Sequence, residues 1–249
     1  MSQKVYNVVL SGGGVRGYAH IGALQALYEQ GLEAEAVSAT SAGALIGAFI
    51  CDGFHPGEIK EIILKEEPKI SFNLWDFKNG LLSLNDVARL LNKHLRSKLF
   101  EQLRKNFFVT ATNLQTGQPH IFNEGSIIDA LLASSAIPVL FQPVVVAGIP
   151  YADGGMSSNL PVEPFYHLTK KILGIHVNPF GNYETGGPMV QTIDRSVHLL
   201  IRAGTRENIK RCDVFIEPPE LIRYHLFEHK YTPEIIETGY HYVKQNIQI

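Results

Sequence analysis

Cysteine is nearly missing from this chain of 249 residues: Cys51 and Cys212 are the only two, and they lie far apart. That excludes a disulfide framework, offers no ligand spacing for zinc, and fits a reducing compartment. Charge is also sparse. With 18% charged residues and a formal net charge of -2, the chain has no basic footprint of the kind nucleic acid requires, and nucleic acid is not expected as a partner. The first apolar run begins at Val5 and reaches Ser11 too soon for a signal peptide. The longest uncharged run, from Ala130 to Ala152, has the length of a membrane span, but Pro138, Pro143 and Pro150 would break a spanning helix repeatedly. Internal repeats, low-complexity tracts and Pro/Gly-rich linkers are absent as well. With 45% hydrophobic content, these absences lead to the expectation of one soluble, cytoplasmic domain over residues 1–249, touching membranes peripherally at most. Export without a cleavable leader stays open, and the oligomeric state is not legible.

What is present begins with Val5 to Leu10, a short apolar strand. Ser11-Gly12-Gly13-Gly14-Val15-Arg16-Gly17 follows, and then Ala19, Ala23, Leu24 and Leu27 at helical spacing, ending before Gly31. Ala36 to Thr40 makes a second strand. The unit is therefore βαβ, whose two strands run parallel through a right-handed crossover. Both strand ends open at one edge of the sheet, where open α/β sheets hold their ligands, and direct neighbours would set the glycine loop opposite Ser41.

Three readings of the glycine loop stand in order. In the first, the N–H groups of Gly12, Gly13 and Gly14 approach a ligand with no Cβ in the way and stabilise an oxyanion. The second is a tight turn that needs glycine and nothing more. The third takes Gly12, Gly14 and Gly17 as a dinucleotide fingerprint. That fingerprint wants an acid at the end of the second strand, where Ala39-Thr40-Ser41 stands instead, with Glu33 and Glu35 before it. Arg16 either fixes the loop or adds positive potential.

Ser41 sits where the second strand turns into a small-residue helix, in Ala39-Thr40-Ser41-Ala42-Gly43. A serine on such a turn projects away from the sheet as a candidate nucleophile, and small residues two positions either side allow the bend. The general pattern is G-x-S-x-G, and Ala39 takes its first glycine position. The competing account makes Ser41 an N-cap. Asp153-Gly154-Gly155 is the third informative site. An aspartate before two glycines is a turn former through Asx hydrogen bonding, or else the base that takes the hydroxyl proton of Ser41, its pKa raised by partial burial.

Elsewhere the spacing predicts helices over Glu58–Lys65, Asp86–Leu95, Ser126–Ser135, Gln191–Arg211 and Glu234–Asn246. Strands are predicted over Phe107–Thr112, His120–Phe122, Lys171–Val177 and Val214–Ile216, with a hairpin at Gly148 within Pro143–Tyr151. The aromatic cluster Phe72–Phe77 reads as a core cap, a lid or a surface that dips into lipid. Arg202, Arg206 and Lys210 share a helical face that is either solvated or rests on anionic lipid.

The three motifs together, Gly12–Gly17, Ala39–Gly43 and Asp153–Gly155, resemble those of the patatin-like phospholipases. Further segments do too, among them Arg16–Gly22, Thr110–Gly117, Ala133–Pro138, Asn159–Pro161, Cys212–Ile216 and Ile235–Tyr240. The resemblance implies a three-layer α/β/α fold around a central, mostly parallel sheet. It also implies hydrolysis of fatty-acyl esters by a Ser-Asp dyad, with Ser41 as nucleophile, Asp153 as base and Gly12–Gly14 as oxyanion hole. Arg16, Gly17, Ala39, Gly43, Gly154 and Gly155 support those motifs, and Ala39 stands where the family usually carries glycine. The partner implied is a lipid or fatty-acyl ester, and no metal or cofactor is expected. Two rivals remain: a Ser-His-Asp esterase drawing on His176, His198, His225, His229 or His241, and an inactive lipid-binding or interaction module of the same fold.

Overall fold

Strand β1 (Lys4–Leu10) buries side chains toward both faces, which makes it a central strand. In this computed structural model, which describes residues 4–66, 84–138, 140–181, 195–196, 199, 204–225 and 229–249, Tyr6, Val8 and Leu10 enter one apolar cluster and Val9 another. Parallel neighbours flank β1: β2 (Leu32–Thr40) on one side and β7 (Ile172–Ile175) on the other. Beyond them lie β3 (Asn106–Asn113) and β8 (Val214–Ile216), also parallel. The antiparallel members are β4 (Pro119–Phe122), β5 (Val144–Val146) and β6 (Ile149–Asp153), completing an eight-stranded, mostly parallel sheet.

Helices cover one face: α1 (Ala19–Glu29), α2 (Ser41–Cys51), α3 (Pro56–Glu66), α4 (Asn85–His94), α5 (Ile127–Ser134) and α6 (Thr232–Asn246). Their buried Leu24, Phe49, Ile59, Leu91, Leu131 and Ile235 join the larger cluster. Leu160, Val162 and Phe165 cover the other face with Ile209, from the helical residues 204–209. The layers are thus α/β/α. Among the described residues, no helix is long and apolar enough to cross a membrane.

The order of pairing on β3 places the functional residues. One edge of β3 carries β4, against Val109–Thr112. The opposite edge is shared: β2 occupies it as far as the pair Thr40–Thr110, and β6 takes over at the pair Asp153–Ala111. Because β6 runs antiparallel to β2, the two C-terminal ends meet head to head. Residues 41 and 153 leave the sheet at the same place.

The predicted elements match these bounds closely, with one extension. β2 begins at Leu32, four residues before the predicted Ala36, because Leu32 and Ala34 are buried while Glu33 and Glu35 face outward. The two acids that seemed to precede the strand belong to it. The aromatic cluster Phe72–Phe77 lies outside the described residues, as does most of the helix predicted over Gln191–Arg211, including Arg202. Of that basic face, Arg206 and Lys210 are exposed, and Lys210 pairs with Glu207 at 2.7 Å.

Helices α1 and α6 cross at backbone contact. A Cβ at Gly22 would overlap the Ile236 carbonyl oxygen and come within 2.8 Å of the Tyr240 nitrogen, and one at Gly239 would strike the Ala19 carbonyl. Neither neighbour is a flexible side-chain tip, so the helices would have to separate. Gly22→Ala is expected to lower stability by about 1–3 kcal/mol, the cost of overpacking, in a urea unfolding series. An unchanged midpoint would mean that the crossing yields freely.

Candidate active site

Thr40 ends β2 in extended conformation, and Ser41 opens α2 with φ at 52°. A left-handed backbone at a non-glycine residue costs on the order of 1–3 kcal/mol and persists only where surrounding contacts impose it. Here Gly43 is one of them. A Cβ at that position would lie 2.5 Å from the Ser11 carbonyl oxygen and 2.7 Å from that of Leu10, so glycine lets α2 start against the end of β1. Ala39 lies wholly within the apolar core, and the bend forms with its methyl in place. The Ser41 N–H donates to Ser134 Oγ at 2.7 Å, and that hydroxyl donates to the Thr110 carbonyl at 2.6 Å. Thr40 is the N-cap, and Ser41 is not: its hydroxyl points away from the helix N–H groups, toward Asp153.

Ser41 Oγ donates to Asp153 Oδ2 at 2.6 Å, and both residues are buried. The second carboxylate oxygen, Oδ1, accepts from the Gly155 N–H at 2.8 Å. The two accounts of Asp153 are therefore compatible, since one oxygen shapes the turn and the other meets the serine. Gly154 has no room for a side chain, because a Cβ there would overlap the Thr110 carbonyl. Burial pushes the Asp153 carboxyl up from 3.8 to about 6, against the opposing effect of the bonds from Ser41 and Gly155.

Peptide geometry orients the glycine loop. The chain has no cis bonds among the described residues, so each N–H points opposite to the carbonyl of its own peptide unit. The Ser11 carbonyl accepts from His20 Nε2 at 2.8 Å, which turns the Gly12 N–H toward the Asn159 carbonyl at 3.2 Å. The Gly12 carbonyl accepts from Asn178 Nδ2 at 2.6 Å, and the Gly13 carbonyl from the Arg16 N–H at 3.1 Å. The N–H groups of Gly13 and Gly14 are thereby directed the other way and meet no acceptor among the described residues. Of the three glycines named for the oxyanion hole, Gly12 is committed to the fold. Its Cα packs on the serine, where an added Cβ would sit 3.1 Å from Ser41 Cβ. Gly17 is held to glycine by Ala42, since a Cβ at 17 would lie 2.5 Å from that of Ala42.

Arg16 is buried and donates from Nε to the Tyr224 carbonyl at 2.6 Å, so it fixes the loop to the C-terminal part of the chain. The dinucleotide reading fails on position as well as on sequence, since Ser41 and Asn159 crowd Gly12 where a pyrophosphate would have to approach.

Among the candidate histidines, His176 is bonded to Glu217 at 2.6 Å and lies 3.4 Å from Asn159 Nδ2. His225 and His241 are exposed, while His198 and the side chain of His229 lie outside the described residues. The proton of Ser41 is directed to a carboxylate. Buried His20 has its pKa lowered to about 4 by burial, so it holds the Ser11 carbonyl as a neutral donor at neutral pH. Ser134, Asn159, Asn178 and His20 were not assigned roles from sequence. Three of them fall within segments that carried the family resemblance, which was the available signal.

An apolar cavity opens beside Ser41, between α2, α3 and α4, with Gly14, Leu45, Phe49, Ile63 and Leu91 in its walls.

The family model described as patatin-like phospholipase matches residues 8–166. An uncharacterized protein of Acanthamoeba polyphaga mimivirus is 26% identical over 223 residues, covering 79% of this chain and 75% of its own. An uncharacterized NTE family protein of Mycobacterium bovis is 33% identical over 163 residues, 63% of this chain, which spans only 27% of that relative. In fold, VipD from Legionella pneumophila aligns with 97% of this chain and 66% of its own at a TM-score of 0.59 and 17% identity.

The buried carboxylate makes a stability prediction. Its folded pKa lies above its unfolded value, so the stability this group contributes is present in full below about pH 4 and is lost as pH rises through about 6. Asp153→Asn is therefore expected to be more stable than the parent by about 2–3 kcal/mol at pH 8, with the difference vanishing near pH 4. Urea unfolding at the two pH values checks this, and an equal difference at both would show that ionisation is not its source.

Proposed function

Since the chain belongs to the patatin-like phospholipase family, we propose that it is a serine lipid acyl hydrolase in which Ser41 is the nucleophile and Asp153 the base. The single observation that carries this reading is the 2.6 Å hydrogen bond to a buried carboxylate from Ser41 Oγ, in a serine that lines an apolar cavity.

The steps follow from that geometry. As Ser41 Oγ attacks the ester carbonyl carbon, its proton passes to Asp153 Oδ2 and the carbonyl π electrons move onto oxygen. The N–H groups of Gly13 and Gly14 are the donors for that oxyanion, and one such donor is typically worth about 3–4 kcal/mol of transition-state stabilisation. The tetrahedral intermediate collapses with cleavage of the bond to the alcohol oxygen, which takes the proton from Asp153. Water then attacks the acyl-serine with Asp153 again accepting the proton, and the fatty acid leaves with Ser41 restored. A carboxylate of ordinary pKa would be a poor base for a hydroxyl. Raised to about 6, Asp153 is stronger and still ionised at neutral pH. The turn at Ser41 contributes by holding Oγ in place before substrate arrives. The substrates expected are carboxylic esters of fatty acids, phospholipids among them, reached from a membrane surface or from lipid dispersed in water.

Ser41→Ala and Asp153→Asn should each lower ester hydrolysis by about four orders of magnitude, and the double variant should be little worse, since groups that act as a unit fail together. Fluorophosphonate labelling should disappear in Ser41→Ala. For the parent, kcat/KM should rise with pH through about 6 and level off, because the ionised carboxylate is the active form. Labelling that persists in Ser41→Ala would remove that serine from the mechanism.

A further inference from the structure

The cavity beside Ser41 follows one face of α2. Ala42, Leu45, Ile46 and Phe49 line it at helical spacing, so its long direction is that of the helix. With a rise of about 1.5 Å per residue, the step from position 41 to position 49 spans about 12 Å. A helical side chain leans toward the N-terminus of its helix, so the ring of Phe49 closes the space about one residue short of that length.

The far end is walled by three helices. Phe49 of α2, Ile63 of α3 and Leu91 of α4 are 1%, 5% and 0% exposed. Phe49 meets Phe54 edge-to-face, with ring centroids 5.3 Å apart, and the Arg96 guanidinium lies 4.1 Å over the Phe54 ring. The near end differs in chemistry. The hydroxyls of the described lining belong to Tyr18, Ser41 and Ser135; Ser135 follows Ser134, which accepts from the Ser41 N–H, and Ser135 Oγ is buried without a partner among the described residues. Among the described residues, none of the lining is charged.

A neutral chain with its polar end at Ser41 fits such a space. With C–C bonds of about 1.5 Å at about 111°, an extended alkyl chain advances roughly 1.25 Å per carbon, so 10–12 Å accommodates about eight to ten carbons. We propose that this cavity is a single-chain acyl pocket selective for esters of medium-chain acids, eight to ten carbons long, with Phe49 as the wall that sets the limit. Acyl groups of sixteen or eighteen carbons exceed it and must leave part of the chain outside. The proposal rests on Ser41 as nucleophile for its kinetic consequence, and on the cavity alone for its consequence in binding.

The test uses p-nitrophenyl esters from butyrate to palmitate, each as a monomer in solution. For the parent, kcat/KM should rise about fourfold per added methylene up to octanoate or decanoate and then level or fall. Phe49→Ala should move the optimum to dodecanoate or beyond and raise the ratio of tetradecanoate to octanoate turnover by about tenfold or more. Leu45→Trp fills the cavity midway and should move the optimum to butyrate or hexanoate. It decides the matter on its own if Phe49→Ala fails to fold. In Ser41→Ala, calorimetric titration with decanoate and palmitate reads the pocket without the chemistry, and decanoate should bind with its whole chain buried while palmitate gains nothing from its extra carbons. A parent optimum at palmitate, or an optimum unmoved by either substitution, overturns the pocket while leaving Ser41 as nucleophile. Length-limited binding with no Ser41-dependent turnover of any ester overturns the hydrolase reading and keeps the pocket.

Discussion

The hydrogen bond between Ser41 and Asp153 depends on two strands sharing one edge of a third. β2 and β6 approach each other end to end along β3, and the ladder passes from one to the other between Thr110 and Ala111. Whatever leaves those two ends must meet. What leaves them is a hydroxyl and a carboxylate, each followed by glycines where the backbone is too crowded for a side chain: Gly43 against the end of β1, and Gly154 against Thr110. The contact is therefore imposed by backbone geometry, and the side chains have little freedom to be elsewhere.

Burying such a pair works against the fold, and the surrounding bonds offset it. The left-handed backbone at Ser41 is tied down by Ser134, and the Thr112 hydroxyl donates to the Asp153 carbonyl at 2.8 Å. Thr40 Oγ1 donates to the Ser158 carbonyl, and Ser158 Oγ in turn donates to Glu163, which also accepts from Asn208. A chain of hydrogen bonds thus runs from the turn at Ser41 to residues 204–209, with Glu163 Oε1 accepting twice while its Oε2 is buried without a partner among the described residues. In a low-dielectric setting satisfied bonds of this kind strengthen one another, and an unsatisfied one is costly. The raised pKa of Asp153 is the residue of that cost. In the mechanism we propose, it is also what makes the carboxylate a useful base.

The family match ends at residue 166, yet much of what holds the glycine loop comes from beyond it. Asn178 takes the Gly12 carbonyl, the Val177 N–H donates to Ser11 Oγ, and the Tyr224 carbonyl receives Arg16. Helix α6 presses on α1 through paired glycines at the root of the same loop. The C-terminal third thus acts on the glycine loop by orienting peptides, and in a planar trans peptide turning a carbonyl one way turns an N–H the other.

Much of this protein could be read from its residues alone. Apolar runs, glycine punctuation and helical spacing are local signals, and they identified the βαβ unit, the hairpin at Gly148, and the two turns carrying Ser41 and Asp153. Motif chemistry singled out those two residues because few others stand at sharp turns between small neighbours. Local signals could not show that the residues touch, since 112 positions separate them and the contact is created by strand order on β3. Nor could they show that Gly12 is engaged while Gly13 and Gly14 remain open, or that Arg16 anchors the loop, because those outcomes are decided by partners at Asn159, Asn178 and Tyr224. Backbone propensity is encoded within a few residues of each position, whereas the direction of a single N–H or hydroxyl depends on whichever distant group the fold brings within 3 Å of it.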